Sequence, residues 1–180
     1  MTHEIIIAGF GGQGVMAIGK TMAEAGMKEN MEVSWLPSYG PEMRGGTANC
    51  CVVLSNEPIV SPLVVNPTAL IAMNKPSLTR FEPLVVPGGH VFINSSIVDV
   101  KAKRGDVTVV YVPCLEIAND LGNLKVANMV MLGAFIGATR LLQRETIREM
   151  LSHVFTGPKA ALVEVNLEAL HRGAQCVKEN

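Results

Sequence analysis

Apolar residues fall along this chain in short runs broken by turn residues. Ile5-Ile6-Ile7-Ala8 is a continuous, mostly β-branched run, the pattern of a strand buried on both faces. Gly9 to Gly14 break it, and Val15 to about Lys28 repeat apolar positions at helical spacing. Glu32–Leu36 and Thr47–Leu54 read as the next two strands, separated by the turn-rich stretch Pro37 to Gly46. Ser55-Asn56-Glu57-Pro58 is a turn signal, so Ile59-Val60 is expected to return as a hairpin arm. Short strands follow at Ala69–Met73, His90–Ile93 and Val107–Val112, with a helix from Pro76 to about Phe81 between the first two. The last third is helical, at about Leu115–Leu121, Val126–Leu142, Thr146–Phe155 and Pro158–Val177. Strands alternating with helices predict an α/β fold: three layers, a Rossmann-like, mostly parallel sheet with flanking helices and one antiparallel hairpin arm. No repeat or internal boundary interrupts it, so residues 1–180 are expected to form one domain.

Between Val126 and Leu142 the only charge is Arg140. This stretch is too short and glycine-rich for a membrane span, so a buried core or interface helix is expected. Gly133 and Gly137 lie four residues apart on one face of it, which lets another backbone come close.

Composition narrows the function classes. Apolar residues make up 48% of the chain and charged residues 17%, the reverse of a disordered segment. A net charge of -1 gives no electrostatic footprint for nucleic acid. The start of the chain has no basic region followed by a long apolar one, so a cytoplasmic location is expected. Cys50, Cys51, Cys114 and Cys176 form no closely spaced ligand pair, and the adjacent Cys50 and Cys51 must point to opposite faces of a strand. Buried, reduced thiols are expected, with neither a metal nor an iron–sulfur cluster in this chain.

Gly9-Phe10-Gly11-Gly12-Gln13-Gly14 matches G-x-G-x-x-G between a strand and a helix. Glycines allow positive φ and close approach, and a helix N-terminus presents free N–H groups and partial positive charge. The turn is therefore an anion-site candidate through Gly11, Gly12, Gln13 and Gly14. A dinucleotide site also needs an acid near the end of the second strand. None stands near Leu36, and Glu32 lies at the wrong end. Three readings stay open: a turn that only seats the helix, a dinucleotide, or another phosphate-bearing ligand or partner loop. Gly14 to Thr21 also spells the P-loop pattern, but the turn is already made at Gly9–Gly14, which places Lys20 down the helix.

Ser38-Tyr39-Gly40-Pro41-Glu42-Met43-Arg44-Gly45-Gly46-Thr47 follows the second strand, at the strand-end face where open α/β sheets bind ligands. Arg44 can grip a phosphate or carboxylate with two prongs, and Gly45 and Gly46 permit close approach. Asn94-Ser95-Ser96 ends another strand and offers polar contacts. Asn128 begins the apolar helix, where it serves equally as a cap or as a ligand contact.

The G-x-G-G-Q-G turn followed by S-Y-G-P-E-M-R-G-G-T, with Pro113 and Asn128-Met129-Val130-Met131-Leu132-Gly133, resembles the gamma subunit of 2-oxoacid:ferredoxin oxidoreductases, of the 2-oxoglutarate or general 2-ketoacid type. That resemblance covers nearly the whole chain. It implies a multi-subunit enzyme that oxidatively decarboxylates a 2-oxoacid to an acyl-CoA and reduces ferredoxin. It implies alpha and beta (and in some assemblies delta) partner subunits that carry thiamine diphosphate, magnesium and iron–sulfur clusters. This chain would support assembly and contribute to coenzyme A binding, with no catalytic residue and no metal of its own. Its face of Gly11, Gly12, Gln13, Gly14, Arg44, Gly45 and Gly46, with Asn94 and Asn128, would receive coenzyme A phosphates or a partner carboxylate.

The residues agree with that division. Gly105-Asp106-Val107 breaks the thiamine pattern G-D-G, and His3, His90, His153 and His171 are scattered. The competing readings are a stand-alone Rossmann-like nucleotide-binding or NAD(P)-dependent protein and a regulatory scaffold without a ligand. For the chain in isolation, contact between two copies is a further arrangement left open.

Overall fold

A computed structural model describes residues 1–39 and 47–178 of the chain. Six strands form one sheet in the order β2-β3-β1-β4-β5-β6. They are β1 (Thr2–Phe10), β2 (Glu32–Tyr39), β3 (Thr47–Ser55), β4 (Ala69–Ala72), β5 (His90–Asn94) and β6 (Thr108–Val112). The helices are α1 (Val15–Lys28), α2 (Lys75–Phe81), α3 (Cys114–Asp120), α4 (Ala127–Thr139), α5 (Arg144–Val154) and α6 (Ala161–Gln175). β1, β4, β5 and β6 run parallel, whereas β3 is antiparallel to both β1 and β2.

The antiparallel hairpin exists, but β2 and β3 make it. Ile59-Val60 forms no strand, and Val60 is wholly exposed. The sheet already pairs β3 on both sides, so no ladder remains for a third arm there. β1 outruns its apolar run of four because all nine of its residues pair with β3, Thr2 with Ser55 through Phe10 with Thr47.

The two sheet faces are covered unequally. Ile5, Ile7, Val52, Leu54, Ile71 and Phe92 pack beneath α1, α3, α4, α5 and α6. The other face, with Ile6, Ala8, Leu70, Val91 and Ile93, is covered by α2 and irregular segments. The apolar α4 lies inside the first layer, and its Phe135 meets Phe92 of β5 with ring centroids 5.6 Å apart. It stops at Thr139, short of the predicted Leu142, because Arg140 takes a left-handed conformation (φ 53°) while its N–H still bonds Ile136 O at 2.8 Å.

Glycine sets how α4 meets α6. A Cβ on Gly133 would stand 2.7 Å from the Leu170 carbonyl carbon, and one on Gly173 would stand 2.7 Å from that of Val130. Each helix thus supplies the glycine that admits the other's backbone. Gly137 repeats the contact one turn on, against Ala174. No helix among the described residues is long and apolar enough to cross a membrane.

His3 and His90 line a hollow of about 360 Å³ at the opposite end of the strands from the first glycine turn, with Phe135 and Thr139. Burial lowers the pKa of both, and for His3 the nearby N-terminal charge and His90 lower it further.

Two predictions follow from this packing. Gly133→Ala or Gly173→Ala should cost about 1–3 kcal/mol in urea unfolding through overpacking against backbone. Gly105→Ala, which meets open space, should stay within about 0.5 kcal/mol. Equal losses at the buried and open positions would contradict the close-packing account. The second concerns pH. The folded pKa of each histidine lies below its usual 6.5, so the unfolded chain binds more protons in acid. Stability from this source is complete above 6.5 and falls as pH drops below it. Thermal unfolding between pH 7.5 and 5 should show a smaller acid loss in His3→Gln/His90→Gln than in the parent chain.

Candidate functional site

β1 ends beside β4, and the chain must leave the sheet there to start α1. Gly12 (φ 94°) and Gly14 (φ 78°) make that exit in left-handed conformations, and Gly14 is the N-cap of α1. No side chain caps α1, so its N-terminal N–H groups are left without that partner.

Gln13 holds the turn together. Its Oε1 accepts from Phe10 N–H at 2.7 Å and from Asn74 Nδ2 at 3.5 Å, and its Nε2 donates to Met73 O at 3.2 Å. The side chain thereby latches the end of β1 to the end of β4. Gly9 is required beneath it, since a Cβ there would meet Gln13 Oε1 at 2.7 Å and Met73 Cβ at 2.8 Å. Asn74 in turn caps α2 by accepting from Ser77 N–H at 2.9 Å. Gln13 is therefore a positioning residue whose polar atoms are already engaged. Sequence reading missed that role; its spacing of three from Phe10 inside the turn was the available signal.

Asn128 lies across Gly14. A Cβ on Gly14 would come 2.7 Å from Asn128 Cβ, so the glycine lets the start of α4 rest on the start of α1. Asn128 Oδ1 accepts from Met129 N–H at 2.9 Å, so the residue both supports the helix start and faces the cleft.

The result is a cleft of about 260 Å³ at the C-terminal ends of the parallel strands. Gly12, Gln13 and Gly14 form one wall, and Lys125, Ala127 and Asn128 form another. Met73 and Asn94 form its floor, and Ile97, Leu115 and Leu124 its partly exposed apolar rim. The starts of α1 and α4 both open on it, neither helix has an acid in its first turn, and Lys125 adds a cation. Positive ends of two helices and an ammonium favour an anion.

Asn94 supplies the directed group. It is 1% exposed, and its Oδ1 accepts from Ser96 N–H at 3.3 Å. Its amide nitrogen bonds to no described residue and is open to solvent at the cleft, so its donor is available there. Ser96 itself is turned away, accepting from Leu115 N–H at 2.8 Å and donating to Glu116.

The structure thus brings together Gly12, Gln13, Gly14, Asn94 and Asn128, with Gly11 exposed in the same turn. Arg44, Gly45 and Gly46 lie outside the described residues. The strand ends that flank them, Tyr39 and Thr47, stand at the same end of the sheet as the first turn, since Thr47 pairs with Phe10 and Tyr39 with Ala48. Lys125, Ile97, Leu115 and Leu124 were not predicted. The Gly122-Asn123 turn just before the apolar helix was the signal for Lys125.

Other motifs resolve plainly. Lys20 sits on α1 and pairs with Glu24 at 3.5 Å, so it does not belong to a phosphate loop. Glu32 begins β2 opposite Ser55, at the far end of the sheet from the cleft. Asp106 pairs with Arg104, which holds its carboxyl below the usual carboxylate range. None of the four cysteines forms a disulfide among the described residues. Cys50 faces the helices and Cys51 the other side of the sheet, and burial pushes the Cys50 thiol up to about 12. Among the described residues no three metal-ligating side chains converge.

A cleft at the C-terminal edge of a mixed α/β sheet is the class of site this fold defines. The chain belongs to the pyruvate ferredoxin/flavodoxin oxidoreductase family, whose model matches residues 4–176. It is 43% identical over 176 residues to the ketoisovalerate oxidoreductase subunit VorA of Methanothermobacter thermautotrophicus, covering 97% of this chain and 36% of that one. It is 34% identical to the 2-oxoglutarate synthase subunit KorC of Methanocaldococcus jannaschii, covering 99% and 96%. Its fold matches the gamma subunit of a keto/oxoacid ferredoxin oxidoreductase from Geobacter sulfurreducens with a TM-score of 0.84, at 28% identity and 99% and 98% coverage. It also matches 31% of a chain of the Magnetococcus marinus 2-oxoglutarate:ferredoxin oxidoreductase, with a TM-score of 0.89 over 99% of this chain at 24% identity. The chain spans about a third of the length of VorA, and nearly all of KorC.

Gln13→Ala should destabilise the chain by about 1–3 kcal/mol, because it unpairs the Phe10 N–H and the Met73 carbonyl. Amide exchange at Phe10 should quicken with it. Gln13→Glu, which keeps the acceptor and loses the donor, should fall between. Unchanged exchange at Phe10 in the alanine variant would remove the latch.

Proposed function

We propose that this chain, as one domain over residues 1–180, is the gamma-type subunit of a cytoplasmic 2-oxoacid:ferredoxin oxidoreductase. In that role it helps assemble the enzyme and holds the phosphate-bearing part of coenzyme A at the cleft beside Gly14. Family membership carries the enzyme class. The free amide of buried Asn94, set between two helix N-termini, carries the ligand class. The Magnetococcus enzyme is described with 2-oxoglutarate, coenzyme A and succinyl-CoA bound, which is consistent with such a ligand.

The fit is partial, and that is informative. A cleft of about 260 Å³ is near the lower limit for small-molecule sites, so it suits a phosphate or diphosphate with its neighbouring atoms rather than a whole coenzyme A. The remainder would lie along the apolar rim and on a partner subunit. N–H groups of Gly12 and Gly14, the Asn94 amide and Lys125 would bind the anion. Asn128 and Gln13 would orient the loops that present it. Arg44, with Gly45 and Gly46, is proposed as a second contact from the β2–β3 connection.

Chemistry on the 2-oxoacid is assigned to other chains, the alpha and beta subunits and in some assemblies delta. When bound there, thiamine diphosphate with magnesium supplies the decarboxylation, and iron–sulfur clusters pass the electrons to ferredoxin. The 2-oxoacid is then chosen mainly outside this chain. The matches to ketoisovalerate and 2-oxoglutarate enzymes accord with one gamma fold serving several substrates.

Asn94→Asp keeps the acceptor for Ser96 N–H, removes the free donor and adds a negative charge. In the assembled enzyme it should raise KM for coenzyme A at least tenfold, about 1.4 kcal/mol, with the KM for the 2-oxoacid unchanged. Arg44→Ala should act in the same direction. An unaltered coenzyme A KM in both variants would refute the assignment.

A further inference from the structure

On the face of the sheet away from α1 and α4, the chain takes a course that folding alone does not explain. Residues 56–68 join β3 to β4 through thirteen residues that form neither helix nor strand. Connections of this length are unusual in compact domains and are commonly functional. The segment contains Pro58, Pro62 and Pro67 and a single charge, Glu57.

Its apolar side chains are mostly turned outward. Val60 is 100% exposed, Leu63 63% and Val65 66%. Val64 points the other way, into the layer of Ile6 and Leu70, and its backbone N–H lies against the Cys51 thiol. This anchors the segment above the middle of β3. Leu36 of β2 is the cross-strand partner of Cys51, on that same face, and is 37% exposed. The exposed residues therefore extend one surface from the segment onto the β2 edge. β2 carries no lysine or arginine to guard that edge, and its only charge is Glu32. A run of exposed aliphatic side chains without charges marks an interaction surface.

The relatives indicate what kind of occupant fits. In VorA the matching region is only 36% of the chain, so there this domain shares a polypeptide with roughly twice its own length. In the Magnetococcus protein it is 31%. A domain joined to so much additional chain has that chain at high effective concentration. We infer that the surface formed by Val60, Leu63, Val65 and Leu36 is where this chain docks the subunit equivalent to the remaining two thirds of VorA, through an uncharged, apolar patch on that subunit. This rests on the subunit reading above and adds to it the surface used.

The test uses the complex. This chain is tagged and co-expressed with the separate subunit from the same source that matches the rest of VorA, and the pair is purified. The parent chain should hold that subunit through size-exclusion chromatography. Val60→Glu/Leu63→Glu should reduce the co-eluting subunit at least tenfold while the isolated variant unfolds at the parent's temperature. Hydrogen exchange on the unmodified complex gives a reading that does not depend on the variant's folding: amides of 56–68 should exchange at least tenfold more slowly than in the isolated chain. Full assembly of the variant, or unprotected amides at 56–68, would overturn the surface and leave the subunit reading standing. Loss of self-association alone would overturn it in favour of a second copy of this chain. If the parent chain also fails to bind that subunit, both readings fall together.

Discussion

The upper end of this structure depends on how near α4 is allowed to come to its neighbours. Gly133 and Gly173 let α4 and α6 touch backbone to backbone, and that contact fixes the depth at which α4 sits over the sheet. Gly14 then lets the start of α4 rest on the turn after β1. Two helix N-termini are brought to one place only because three glycines remove side chains from the two contacts. Dipole ends held this way cannot turn aside, and their partial positive charge is what the proposed anion would meet.

The glycine turn illustrates how one motif divides its labour. Gly12 and Gly14 provide backbone conformations, Gly9 provides room, and Gln13 spends its side chain on Phe10, Met73 and Asn74. A glutamine engaged on three sides has little left for a ligand. Asn94 takes the complementary part, with its acceptor used by Ser96 and its donor left over. On the proposed reading, binding falls to backbone N–H groups, the Asn94 amide and Lys125, while Gln13 holds the shape.

Much of this was legible in the sequence, because the signals were local. Ile5–Ala8 could only be a buried strand, Gly9–Gly14 only its exit, and the extent of α1 follows from spacing alone. The antiparallel insertion of β3 between β1 and β2 was not legible: strand order is a long-range property, and no turn signal near Ile59 distinguishes a hairpin arm from an extended connection. The Arg140 stop was hidden for a related reason, since a non-glycine residue in a left-handed conformation carries no composition cue. Lys125 and the rim residues come from chain segments far apart in sequence and meet only once the sheet is ordered. Gly133 and Gly137 were readable as permissive positions, but Gly173, the reciprocal partner of Gly133, needed the helix pairing.

The unequal clothing of the two sheet faces links fold to assembly. Five helices cover one face, and most of the core lies there, within the chain itself. The other side has one short helix and irregular chain, and leaves Val60, Leu63 and Val65 in water. Burying three such side chains is worth on the order of 1.5–3 kcal/mol each, a sizeable share of a domain's net stability. A chain that withholds that much burial from its own folding can return it on association. The ligand cleft and the exposed surface then have separate duties. The cleft is built from glycine contacts within the chain, whereas the opposite face leaves aliphatic side chains exposed, as the proposed docking surface requires.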